Sequence, residues 1–228
     1  MYKEVKHKTI IDYNSKIVYN LVNHKLLNHK LLNHKLLKLA GGIQMFIGRE
    51  QELNTLNRLY SYDRFEFAVI YGRRRVGKTA LINEFVKDKD TIFFTGVETN
   101  AKQNLDNLSR SIMDYSTGIP IDSSFASFQS ALAYVFELAK EKRIVLVIDE
   151  YPYVARTSKS LASTIQLLID KNKDTSKLFL ILCGSSMSYM EDHVLAYKAP
   201  LYGRRTAQLK IKPFDFFEVC RYFSNFSD

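Results

Sequence analysis

The sequence is poor in the features that define several whole classes of protein. Its two cysteines, Cys183 and Cys220, are too few for a disulfide framework and have no metal-ligand spacing. Cys183 sits in an apolar run, which fits a reducing compartment, so a cytoplasmic location is expected. Long hydrophobic runs are missing too. Ile144 to Ile148 and Leu178 to Cys183 fall far short of the roughly 20 residues that span a bilayer, so no membrane partner is expected. The N-terminus also lacks the apolar stretch of about 7 to 15 residues, followed by a small-residue cleavage site, that marks a secretory signal. What is present is apolar enough to fold: 46% of the 228 residues are hydrophobic, sufficient for one sizeable core.

A formal net charge of +9 invites a nucleic-acid reading, but its distribution argues otherwise. Residues 1–44 hold eight lysines against Glu4 and Asp12, a net +6, which leaves +3 for the rest. Four of the five histidines also lie in that leader. Within it, Asn23 to Leu37 repeats Asn-His-Lys-Leu-Leu three times. A five-residue period advances a helix by about 140° per repeat, so the leucine pairs never form one face. In a strand an odd period alternates faces. The tract is therefore read as expanded simple sequence, with a basic arm for nucleic acid or membrane and a His-rich metal tract as the alternatives. Gly41-Gly42 ends it, and a domain is expected from residue 45 to residue 228, with Met45 a candidate start.

From Met45 the pattern alternates. Helices are expected at Glu50 to Tyr60, Lys78 to Val86, Asn104 to Tyr115, Phe125 to Lys140 and Ser160 to Lys171. Strands are expected at Phe65 to Tyr71, Thr91 to Thr95, Arg143 to Ile148, Leu178 to Cys183 and Thr206 to Ile211. Continuous apolar strands separated by helices predict an α/β fold with a parallel sheet covered on both faces.

Gly72-Arg73-Arg74-Arg75-Val76-Gly77-Lys78-Thr79 matches GxxxxGK[ST] and stands where the mechanism needs it, between a hydrophobic strand and a helix. Such a loop aims backbone N–H groups, with Ala80 in the first helical turn behind them, at phosphate oxygens. Lys78 would reach the β- and γ-phosphates and the Thr79 hydroxyl would coordinate Mg²⁺. Arg73, Arg74 and Arg75 either tune nucleotide or partner contacts or are solvated loop arginines. Ile144 to Ile148 then leads into Asp149 and Glu150. Asp149 would hold the Mg²⁺ site, and Glu150 would orient and deprotonate an attacking water. Ser185, after the strand ending at Cys183, is a candidate sensor of the γ-phosphate or that water. Arg204 and Arg205 precede the fifth strand, and either could neutralise phosphoryl charge in cis or on a neighbouring subunit; a surface loop is the alternative.

Phe46-Ile-Gly48-Arg49-Glu-Gln-Glu-Leu53, Tyr71 to Thr79, Ile148-Asp-Glu-Tyr-Pro-Tyr153, Cys183 to Ser186 and Leu201 to Thr206 together resemble the prokaryotic "archaeal ATPase" family over Met45 to Phe217. The resemblance implies a three-layer P-loop NTPase related to AAA and STAND ATPases, with a five-stranded parallel sheet of order 5-1-4-3-2. It also implies ATP and Mg²⁺ as ligands, and Phe46, Gly48 and Arg49 near the adenine. The function expected is Mg²⁺-dependent ATP hydrolysis, against a regulatory or DNA-associated binding module that turns over little. A homo-oligomer, DNA and an effector domain are the candidate partners besides ATP. Family members commonly continue into a winged-helix region and a further domain. Phe214, Phe216, Phe217, Tyr222, Phe223 and Phe226 crowd the last fifteen residues, so a truncated product is expected. A guanine-reading motif at Asn172-Lys173-Asp174 is discounted because one residue is missing and the aspartate is out of register.

Overall fold

A computed structural model describes residues 48–118, 123–216 and 218–220 of the 228-residue chain. The repeat-bearing leader, Met45, Phe46 and the aromatic residues Phe217, Tyr222, Phe223 and Phe226 lie outside the described residues.

The elements run α1 (Glu50–Ser61), β1 (Glu66–Tyr71), α2 (Lys78–Val86), β2 (Thr91–Thr95), α3 (Ala101–Thr117), α4 (Phe128–Glu141) and β3 (Ile144–Asp149). Next come α5 (Tyr151–Thr157), α6 (Leu161–Asn172), β4 (Leu178–Gly184), α7 (Met187–Met190), a π-helical turn (Glu191–Leu195) and β5 (Ala207–Lys210). The ten elements expected from periodicity are present, with ends shifted by up to about three residues. Two short helices, α5 and α7, and the π-helical turn are additional.

The strands form one sheet in the order β2-β3-β4-β1-β5, all neighbours parallel, which is the expected order read from the other edge. Burial explains that order. Every residue of β1, β3 and β4 is buried, as suits three interior strands covered on both faces, whereas β2 and β5 alternate in exposure, as suits the two edges. Because all five strands point the same way, Tyr71, Asp149 and Gly184 end at one edge of the sheet, with Tyr71 paired to Gly184 and Ile148 to Leu182. Strand β4 lies between β1 and β3, so the segments that leave β1 and β3 stand about 10 Å apart, with the segment after β4 between them.

Helix α2 carries the loop's last residues and buries Lys78, Leu81, Ile82 and Phe85, the i, i+3, i+4, i+7 spacing of one face. Phe85 is fully buried and meets Phe179 of β4 edge-on, with ring centroids 5.5 Å apart, and Tyr60 of α1 at 6.0 Å. This trio fixes the helix that carries Lys78 and Thr79. Phe85→Ala is expected to cost about 3–5 kcal/mol of stability. The cost is read as a lower urea midpoint at unchanged m-value.

Candidate active site

The candidate phosphate-binding loop begins where β1 stops. Its shape is forced by the strand next to it: Ile211, just past β5, donates its N–H to the Tyr71 carbonyl at 2.7 Å. A Cβ at Gly72 would lie 2.2 Å from the Ile211 carbonyl oxygen, so only glycine lets the chain turn there. At Gly77 the requirement is conformational, with φ 90 opening helix α2. Lys78 is buried and folds back over the loop, its ammonium donating to the carbonyls of Gly72 (3.0 Å) and Arg73 (2.9 Å). The loop thus curls round one cation at a helix N-terminus, an arrangement that attracts phosphate.

The acidic strand meets it from the far side of β4. The Thr79 hydroxyl donates to Asp149 Oδ2 at 3.0 Å, and the Glu150 N–H donates to Asp149 Oδ1 at 2.9 Å. Glu150 has left-handed backbone (φ 49, ψ 41) and opens α5. Ser185 comes just after β4, so the sheet order sets it between loop and carboxylate. Its hydroxyl donates to Glu150 Oε1 (2.9 Å) and Oε2 (2.8 Å), and its N–H reaches Oε2 at 3.3 Å. The contact is to a neutral hydroxyl and an amide; among the described residues Glu150 has no ion pair. Cys183 ends in the same region, and burial, reinforced by the Asp149 charge, holds its thiol well above the usual range, leaving it protonated and inert.

Three non-glycine residues among the described ones have positive φ: Arg49 (63), Arg75 (65) and Glu150 (49). All three belong to this edge. Backbone held in a sparsely populated region persists only where its surroundings over-determine it, and such residues gather at functional sites. Arg49 shows what does the holding here. It is buried, donates to the carbonyls of Val76 in the phosphate loop (3.3 Å) and of Lys212, and lies 4.3 Å over the Phe214 ring. Gly48 packs against that same ring, where a Cβ would come within 2.8 Å of it. Gly48 and Arg49, expected near the adenine, thus clip the phosphate loop to the segment after β5.

Of the three loop arginines, Arg73 is exposed and offers the loop its carbonyl, while Arg74 donates to the Tyr153 hydroxyl of α5. Ala80 is exposed in the first turn of α2. Tyr153 and Arg156 escape a reading of the sequence alone. The signal for them is the i, i+3 spacing after Glu150, which has meaning only if Tyr151 to Thr157 is seen as a helix.

Arg204 and Arg205 require a correction, because they are not at this site within one chain. Thr206 donates its N–H to the Phe67 carbonyl at 2.7 Å, and its hydroxyl accepts from the Phe67 N–H at 3.0 Å, so both arginines lie by the amino end of β1. Four residues of strand, about 13 Å, separate that point from Tyr71. The reason is topological: in a parallel sheet the chain enters every strand at one edge and leaves every strand at the other. Arg204 is also neutralised, holding both oxygens of Asp170 at 2.8 and 2.7 Å, a contact that pulls the Asp170 carboxyl below its ordinary range. Arg205 lies 5.4 Å over the Tyr202 ring.

Among solved structures, a Walker-type ATPase of Pyrococcus abyssi superposes with a TM-score of 0.60 at 20% identity, over 79% of this chain and 57% of that one. Cdc6p from Pyrobaculum aerophilum gives 0.57 at 19% identity, over 81% and 50%. Both show the P-loop ATPase fold. In sequence, an uncharacterised protein of Methanocaldococcus jannaschii is 38% identical over 179 residues, 78% of this chain and 38% of that protein. A short uncharacterised ATP-binding protein of the same organism is 46% identical over 48 residues, 21% of this chain and 81% of its own length. The chain thus spans well under two thirds of its longer relative. The model of a family described as an ATPase domain predominantly from Archaea matches residues 46–226, and the chain belongs to that family.

Proposed function

We propose that this chain binds ATP with Mg²⁺ at the carboxyl edge of its sheet and hydrolyses it. The observation that carries the reading is the placement of Glu150: a carboxylate without an ion pair among the described residues, one residue from the Thr79–Asp149 contact. A general base needs that combination, since a bound cation would quench its basicity.

Thr79 Oγ1 and Asp149 Oδ2, 3.0 Å apart, are hard oxygen donors of the kind Mg²⁺ takes, and few are needed because phosphates and water supply the remainder. When bound, the ion would neutralise charge on the phosphate oxygens. This chain's own residues do the rest. Lys78 and the loop N–H groups hold the phosphates, and Arg49 fixes the loop by its contact with Val76. Glu150 accepts a proton from the attacking water as its oxygen bonds to the γ-phosphorus. The bond to the bridging oxygen breaks, and ADP leaves with that electron pair.

A second reading, a nucleotide-dependent binding module with little turnover, is favoured by one feature. Both Glu150 oxygens accept from Ser185, so a base parked there would deprotonate water slowly. Metal withdrawal separates the two. With excess EDTA, phosphate release from ATP is expected to fall by about 10²-fold or more, since the ion contributes several kcal/mol of charge stabilisation. Release that is negligible with and without Mg²⁺, alongside intact ATP binding, would leave the second reading.

A further inference from the structure

We propose that Arg156 is a catalytic residue, the guanidinium that this chain itself brings to the transferring phosphoryl group. The inference rests on the hydrolytic reading and assigns a role the Arg204-Arg205 pair cannot fill in cis. Beside Glu150 lies a cleft of about 290 Å³ lined by Arg74, Tyr153, Arg156, Ser185 and Ser186 together with Glu150 itself. Two guanidiniums therefore line the same cleft as the carboxylate that would activate the attacking water.

Among the described residues, no carboxylate pairs with either cation. Arg74 donates to the Tyr153 hydroxyl, and Arg156 donates to the Ser186 hydroxyl at 3.3 Å and lies 5.2 Å from the Tyr189 ring. Hydroxyls and a ring face orient a guanidinium without cancelling its charge, in contrast to Arg204, which Asp170 pairs at two oxygens. The charge remains available for oxygens that become more negative as the bond to the leaving group breaks. Arg74 belongs to the loop and is exposed. Arg156 stands on the opposite wall, on α5, whose Tyr151 and Val154 are buried to 1% exposure, so its backbone is fixed. Ser186 adjoins Ser185, so the residue that positions Arg156 and the residue that positions Glu150 are consecutive after β4. A single short segment aligns the base and the cation.

The test compares the full chain with Arg156→Ala and Arg156→Lys, reading phosphate release, ATP affinity by equilibrium dialysis, and retention of ADP–aluminium fluoride, which mimics the phosphoryl group in flight. Arg156→Ala is expected to lower kcat about 10²-fold, as loss of one transition-state donor does, with ATP affinity changed less than about threefold and the fluoride complex no longer retained. Arg156→Lys keeps the charge but not the planar fork and should recover part of both. If the alanine variant loses its thermal transition, the lysine variant decides. Native turnover and native fluoride retention in the variants would overturn the assignment. If the native chain binds ATP without releasing phosphate, the hydrolytic reading fails and the catalytic assignment of Arg156 fails with it, whereas a native chain that turns over beside variants that do so equally refutes Arg156 alone.

Discussion

Glu150→Gln should lower kcat by about 10²–10⁴-fold while ATP remains bound, the range expected when one positioned general base is removed. The substitution is nearly isosteric. Its amide oxygen can still accept from the Ser185 hydroxyl, and the left-handed backbone at φ 49 is no more strained by glutamine than by glutamate. What is lost is the negative charge and the capacity to take a proton. Structure and nucleotide affinity should therefore survive together, and the variant should hold ATP uncleaved. Single-turnover cleavage of labelled ATP, with dialysis for affinity, checks both halves. A variant that cleaves at the native rate would remove Glu150 from the mechanism and return the acidic strand to a structural role.

Lys78→Ala should have the opposite signature. Lys78 is 6% exposed, its ammonium bonded to two loop carbonyls, and it opens α2. Truncation takes away the cation that the loop encloses and leaves the Gly72 and Arg73 carbonyls without their donor. Losing one partner of a buried charge contact costs about 2–5 kcal/mol, so ATP affinity should fall by about 30-fold to a few thousand-fold. The two variants dissect the site: Lys78→Ala appears in Kd, Glu150→Gln in kcat. Dialysis with labelled ATP reads the first directly. Native affinity in Lys78→Ala would mean that nucleotide binds somewhere other than this loop.

The architecture was legible because interior parallel strands leave a plain mark. Ile144 to Ile148 and Leu178 to Cys183 are uninterrupted apolar runs, and residues buried on both faces need to be so. The loop and the acidic pair were legible because their chemistry demands particular residues at particular ends of elements. Helix α5 was not, since seven residues with Pro152 near the start make fewer than two turns and carry no readable period. Missing it hid Tyr153 and Arg156. The cis option for Arg204 and Arg205 failed for a different reason: a Leu-Tyr-Gly-Arg-Arg run looks like a phosphate contact in isolation, yet preceding a parallel strand already puts it at the other edge of its own chain. Arg49 was seen, but its partners were not. Val76 and Lys212 lie 27 and 163 residues away, and no local pattern reports a contact of that range.

The central claim is that the loop and Glu150 form one hydrolytic site, and the most direct test is steady-state release of inorganic phosphate by the full chain under saturating ATP and Mg²⁺. Many phosphates released per chain, with release near background in Glu150→Gln at unchanged ATP affinity, is the predicted result. Tight ATP binding that depends on Lys78, with no more phosphate released by the native chain than by Glu150→Gln, would contradict it.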